Sequence, residues 1–119
     1  MIQYNTENGV AHIKLDHAPV NVIDIALMQE LISAIDRARE SDAKVVVFGA
    51  TGKLFSAGVD VADHTEDKVD HMISLFHQVI RKIWSVPQPV LCVVQGAALG
   101  GGMELALACD FVIAAENSK

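Results

Sequence analysis

Between an apolar run, Val90-Leu91-Cys92-Val93-Val94, and a stretch rich in alanine and leucine stands QGAALGGG (95–102), with Gly100, Gly101 and Gly102 in succession. No other feature of the chain restricts its folding so tightly. Successive glycines occur where backbone must take dihedrals closed to other residues or approach something closely. The apolar run reads as a strand covered on both faces, and MELALAC after the glycines reads as a short helix. A helix that starts at such a turn leaves free N–H groups and the positive end of its dipole facing the gap. The spot suits an anion, or an oxygen that becomes anionic; the alternative is a tight strand-to-helix turn with no ligand.

The same grammar occurs earlier. Val45-Val46-Val47-Phe48 is a second apolar run that ends at Gly49, and the irregular small-residue segment GATGKLFSAGVD (49–60) follows it. The two halves form a weak internal repeat, with a helix between the strand starts. Residues 10–15 alternate, with Ala11, Ile13 and Leu15 on one side and Val10, His12 and Lys14 on the other, which predicts a half-exposed strand. From Asp24, a plausible N-cap, to about Arg39 the period becomes helical, with Leu27, Met28, Leu31, Ile32, Ile35 and Ala38 on one face. A second helix is predicted from about Glu66 to Trp84, ended by Pro87 and Pro89, and a last strand over 111–115. Strands alternating with helices predict an α/β fold with parallel pairing, and all 119 residues read as one domain.

Composition narrows the function. The chain is 51% hydrophobic and 20% charged, as a packed core requires, and its net charge of −6 with no basic cluster argues against nucleic acid. No apolar stretch is long enough to span a bilayer, and the first residues carry no signal-peptide pattern. Cys92 and Cys109 belong to no paired motif and read as reduced, buried thiols, so a cytoplasmic location is expected. Gly49-Ala50-Thr51-Gly52-Lys53 fails as a phosphate loop, because position 47 is valine and Leu54 follows the lysine. The glycines at 96, 100 and 102 have the wrong spacing for a dinucleotide fold.

Glu104 is the other anomaly, the only charged residue between Val86 and Cys109, in a helix that otherwise reads as wholly buried. A buried carboxylate is costly unless paired or protonated, and one so placed can serve as a general acid or base. The alternatives are a surface glutamate, or a structural partner of Asp110 or a distant arginine. Nucleophilic hydrolysis is excluded around the glycines: from Val86 to Asn117 there is no serine, threonine, histidine or lysine. His12, His17, His64, His71 and His77 lack metal-ligand spacing and read as solvent-face residues, so no metal site is expected.

Taken together, FSAGVD (55–60) and GAALGGGMELALACD (96–110), with APVNVID (18–24) and the PQPVLCVVQG strand-loop, resemble the crotonase family, the enoyl-CoA hydratase/isomerase superfamily. The resemblance runs over essentially the whole chain. It implies a crotonase-like spiral of ββα units, here incomplete at the C-terminus, since that family continues for about as many residues again. It further implies that the peptide N–H groups of Val59 and Gly101 form an oxyanion hole for an acyl-CoA thioester. Glu104 would then activate water, and Val22, Ala57, Asp60, Val61, Leu99 and Gly100 would line the substrate site; Asp60 is also placed to cap its loop.

The implied activity is that of a hydro-lyase of the enoyl-CoA hydratase type, with isomerase as a neighbouring chemistry, in fatty-acid or aromatic-acid degradation. NVID with GGGMELALACDFVIAA is similar to the cyclic dienoyl-CoA hydratases, and short linear enoyl-CoA substrates fit equally. No cofactor is implied, since coenzyme A is part of the substrate; the implied assembly is a homo-oligomer, a trimer or hexamer. The alternative is a truncated, non-catalytic module that binds thioesters or serves assembly. A peptidase of the related Clp-type spiral is disfavoured by the absent serine.

Overall fold

A computed structural model describes residues 1–119 and contains, in chain order, strands β1 (Ile2–Glu7) and β2 (Val10–Leu15), helix α1 (Ile25–Glu40) and strand β3 (Val45–Ala50). A 3-10 turn (Val61–Asp63), helix α2 (Val69–Ser85), strand β4 (Val90–Val94), helix α3 (Gly101–Ala108) and strand β5 (Phe111–Ala114) follow. One sheet holds all five strands in sequence order; β1 and β2 are antiparallel and every later pair is parallel. Each crossover from β2 onward moves one strand over in the same direction. Right-handed connections of that kind put every helix on one face of the sheet.

The burial pattern agrees. Ala11, Ile13 and Leu15 of β2, Val46 and Phe48 of β3, and Val90, Cys92 and Val94 of β4 are buried under the helices. They join Leu27, Leu31 and Ile35 of α1 and Met72, Phe76 and Val79 of α2 in a single core. The opposite face is not covered: Val45, Val47 and Leu91 are half-buried and Val93 is exposed. The expectation of strands covered on both faces therefore fails for β3 and β4. Their second face is apolar in sequence, but one-sided crossovers leave no helix to lie on it.

Local sequence explains most boundaries. The Asp24 carboxylate accepts the Leu27 N–H at 2.7 Å and so caps α1 as its residue type suggested. Helix α2 begins at Val69 rather than near Glu66, and Lys68 at its N-cap makes no side-chain capping bond. Strand β1, which alternation alone did not reveal, is joined to β2 by Asn8-Gly9, both at positive φ (51° and 79°), the hairpin signature of that dipeptide. No helix is long and apolar enough to cross a membrane.

Candidate active site

The segment after β3 is held between two others like a short middle strand. On one side Phe55 N–H donates to Gln95 O at 2.8 Å, Ser56 N–H to Ala97 O at 3.2 Å, and Leu99 N–H to Ser56 O at 3.0 Å. On the other, Ala57 N–H donates to Val20 O at 2.9 Å, Ile23 N–H to Gly58 O at 2.9 Å, and Asp60 N–H to Ile23 O at 3.1 Å. Buried side chains lock the join. Asn21 accepts the His17 N–H and donates to Thr51 O and Leu54 O, while the Ser56 hydroxyl donates to Asn21 O and accepts the Gly58 N–H. Asp63, also buried, accepts the Ile25 N–H at 3.0 Å and ties the 3-10 turn to the start of α1.

This packing shows why the loops carry glycine. A Cβ on Gly58 (φ +105°) would stand 2.9 Å from the Leu99 carbonyl oxygen, and one on Gly102 would stand 2.8 Å from Ser56 Cβ. Gly100 has φ +51° and ψ −118°, a conformation that L side chains rarely adopt, and so turns the chain into α3. At Gly101 a Cβ would lie 2.7 Å from Val59 Cγ2 and 3.5 Å from Val59 N, so the backbones of Val59 and Gly101 run side by side.

The hydrogen-bond pattern agrees with this arrangement. Gly58, Asp60 and Gly102 all donate their N–H groups within the chain, to Ser56 Oγ, Ile23 O and Leu99 O. The N–H groups of Val59, Gly100 and Gly101, all at the cavity wall, donate to no acceptor, and those of Val59 and Gly101 lie on the two facing segments. Polar backbone groups in folded protein are nearly always partnered, so two neighbouring free donors at a cavity wall make a ready seat for one oxygen atom.

That cavity, of about 460 Å³, is walled by Ala57, Val59, Gly100, Gly101 and Glu104 together with side chains from α2. A second cavity of about 500 Å³ lies between α2 and α3, against Ile80, Trp84, Leu107 and again Glu104. Glu104, in the first turn of α3, is exposed and takes part in none of the ion pairs of the chain. The expectation of a carboxylate inside a wholly buried helix thus fails. Met103, Glu104 and Leu107 face outward, while Gly102, Leu105, Ala106 and Ala108 face the core. Asp110 is no partner of Glu104; its carboxylate accepts the Val90 N–H at 2.8 Å.

The remaining candidates lie around rather than within this cavity. Val22 is half-buried in the turn before α1, Val61 is 83% exposed, and Leu99 is exposed beside Gly100. Asp60 caps the 3-10 turn, its carboxylate accepting the Ala62 N–H at 2.9 Å. Cys92 and Cys109 are buried, and the neighbouring Cys92 thiol together with burial pushes Cys109 far above the ordinary thiol range.

Three things escaped the sequence reading. Asn21 and Asp63 look like loop polar residues, and only their burial shows their positioning role. Ser56 is inconspicuous among small residues. The histidines, read as solvent-face, are mixed: His12 and His17 are half-buried, and exposed His64 and His77 stand at the wall of the first cavity.

Residues 5–119 match the family model described as "Enoyl-CoA hydratase/isomerase". A "Probable enoyl-CoA hydratase" of Bacillus subtilis is 38% identical over 99% of this chain and 48% of its own length. A "Cyclohexa-1,5-dienecarbonyl-CoA hydratase" of Thauera aromatica is 28% identical over 95% of the chain and 44% of its own length. The crystal structure of an enoyl-CoA hydratase from Bacillus anthracis superposes with a TM-score of 0.92 at 34% identity, covering 98% of this chain and 48% of that one. The chain spans about half the length of the curated relatives it matches. The sheet and its one-sided helices are the crotonase fold seen in such structures.

Proposed function

We propose, from the premise that this chain belongs to the enoyl-CoA hydratase/isomerase family, that it binds an α,β-unsaturated acyl-CoA thioester and promotes addition of water to it. The observation that carries the reading is the side-by-side pair of unpartnered N–H groups at Val59 and Gly101. The thioester carbonyl oxygen sits between them. As water adds at the β-carbon, negative charge moves onto that oxygen, and both amides strengthen their hold without reorganising. Loss of one such donor typically costs about 3–4 kcal/mol of transition-state stabilisation. The Glu104 carboxylate accepts the proton of the attacking water, the hydroxyl bonds to the β-carbon, and the enolate takes up a proton at the α-carbon.

Ala57 and Gly100 line the thioester's seat in this account, and Val22, Asp60, Val61 and Leu99 flank the entrance taken by the coenzyme A arm. Coenzyme A enters as part of the substrate, and these steps call on no further group. Two acyl classes compete, a cyclic dienoyl group and a short linear enoyl group. The Thauera aromatica relative is named for the first and the Bacillus subtilis relative for the general class. A homo-oligomer in the cytoplasm belongs to the same reading, supported by the exposed apolar side chains at Trp84, Leu107 and Phe111.

The test is turnover of crotonyl-CoA and of a cyclic dienoyl-CoA by this chain, with Glu104→Gln as control. Turnover should fall at least about 100-fold in the variant while thioester affinity stays within a few-fold. Unchanged turnover in Glu104→Gln would remove the glutamate from the mechanism. A second reading, a thioester-binding module without catalysis, is favoured by one observation: Glu104 is exposed and unpaired. Binding without turnover in the wild-type chain would select it.

A further inference from the structure

The two peptides of the hole are aimed by their own carbonyls. In a trans peptide the C=O and N–H point opposite ways. The Gly58 carbonyl accepts the Ile23 N–H at 2.9 Å, so the Val59 N–H of the same peptide points away from the segment carrying Ile23, to the side where Gly101 lies. The Gly100 carbonyl accepts the Glu104 N–H at 3.0 Å, and the Gly101 N–H therefore points out of the start of α3. Whatever holds Ile23 in place thus decides where the Val59 N–H points. Asn21, two residues earlier and 2% exposed, does the holding. Its Oδ1 accepts the His17 N–H at 2.8 Å, and its Nδ2 donates to Thr51 O at 2.8 Å and to Leu54 O at 3.1 Å. At φ 51° it stands in the left-handed region that asparagine tolerates.

A second route leads from Asn21 to the same peptide. Its backbone carbonyl accepts the Ser56 hydroxyl at 2.8 Å, and Ser56 Oγ accepts the Gly58 N–H at 3.1 Å. Ser56, wholly buried, also meets the facing segment. Its carbonyl accepts the Leu99 N–H at 3.0 Å, and a Cβ on Gly102 would stand 2.8 Å from that carbonyl oxygen. Gly58 is therefore held at its N–H by Ser56 and at its C=O by Ile23, and both holds lead back to Asn21. Resting on the reading above, we infer that Asn21 is a positioning residue for the thioester oxygen, acting through Ser56 and Ile23 to fix the direction and spacing of the Val59 N–H against Gly101. It lines neither cavity, so it acts through these peptides and not on substrate. Amides aimed in advance stabilise the developing oxyanion without reorganising, which is where such a residue contributes.

Polarisation of the thioester, rather than stability, separates positioning from a merely structural role. Butyryl-CoA labelled with 13C at its carbonyl carbon should show that signal moving downfield on binding to the wild-type chain, because two aimed donors draw electrons toward the oxygen. Asn21→Gly keeps the left-handed backbone without strain and removes the amide, whereas Ser56→Ala removes only the relay. Both variants should bind butyryl-CoA within about 3-fold of wild type by calorimetry, yet lose more than half of the downfield shift. Turnover of crotonyl-CoA should fall about 10- to 100-fold in kcat, with KM within about 3-fold. Asp24→Ala, which removes the cap of α1 in the same turn and leaves the relay intact, should keep the full shift. The full shift in both Asn21→Gly and Ser56→Ala would overturn the inference and leave the proposed function standing. So would an Asn21→Gly chain that fails to fold beside a Ser56→Ala chain with the full shift, since Asn21 would then serve the fold alone. A wild-type chain that binds butyryl-CoA with no shift would overturn the oxyanion hole and this inference together.

Discussion

At the scale of single residues, the site is defined by what two amides do not bind. Nothing in the side chains of Val59 or Gly101 marks them; their neighbours Gly58, Asp60 and Gly102 are partnered, while the Gly100 N–H is free as well. Gly101→Ala tests the arrangement, because its Cβ would fall 2.7 Å from Val59 Cγ2 and push the two amides apart. The substitution should lower turnover roughly 100- to 1,000-fold and destabilise the chain by about 1–3 kcal/mol. Steady-state kinetics and urea unfolding would separate these effects; turnover within a few-fold of wild type would mean that the amides are not the reacting oxygen's seat. The triple glycine and the lone Glu104 were both legible in the sequence as anomalies. Which way Glu104 points was not, because MELALAC is apolar on every side and its pattern hides the exposed flank that Met103 and Leu107 share with the carboxylate.

At the scale of elements, the loop that carries Val59 is anchored through a helix terminus. Asp24 caps α1 by accepting the Leu27 N–H, and Asp63 reaches across to accept the Ile25 N–H. Both serve the same turn, but only Asp63 belongs to the segment following Val59. Asp24→Ala should cost about 1 kcal/mol and leave thioester affinity unchanged. Asp63→Ala should cost about 2 kcal/mol and weaken thioester binding as well, and Asp63→Asn, which keeps an acceptor, should recover most of both. Urea unfolding with calorimetric titration decides; equal effects of the two alanine variants on affinity would contradict the positioning role of Asp63. Periodicity located α1, α2, β2, β3 and β4 in the sequence to within a few residues. It missed β1, since IQYNTE neither alternates cleanly nor buries a face (only Ile2 and Tyr4 are half-buried), although Asn8-Gly9 announced the hairpin.

At the scale of the molecule, the sheet is built by repeating one move, each crossover advancing one strand with its helix on the same face. That move creates the core and leaves apolar surface elsewhere. Val93, Phe111, Val112 and Ile113 are all exposed, and β5 is an open edge with unpaired backbone groups. Such edges favour association. Sedimentation velocity should show self-association that rises with concentration, and replacing Phe111 and Ile113 by lysine should abolish it; a strict monomer would contradict the proposed oligomer. The class of fold was legible from alternating strands and helices. The open sheet face was not, because an apolar run reads the same whether or not anything lies upon it.

The central claim is that the Val59 and Gly101 N–H groups receive the carbonyl oxygen of an acyl-CoA thioester. Amide NMR of the 15N-labelled chain, titrated with butyryl-CoA and with free coenzyme A as control, tests it directly. The account predicts that the Val59 and Gly101 amide protons move downfield with butyryl-CoA, further than any others, and stay in place with coenzyme A alone. Saturable binding that leaves those two signals unmoved would contradict it.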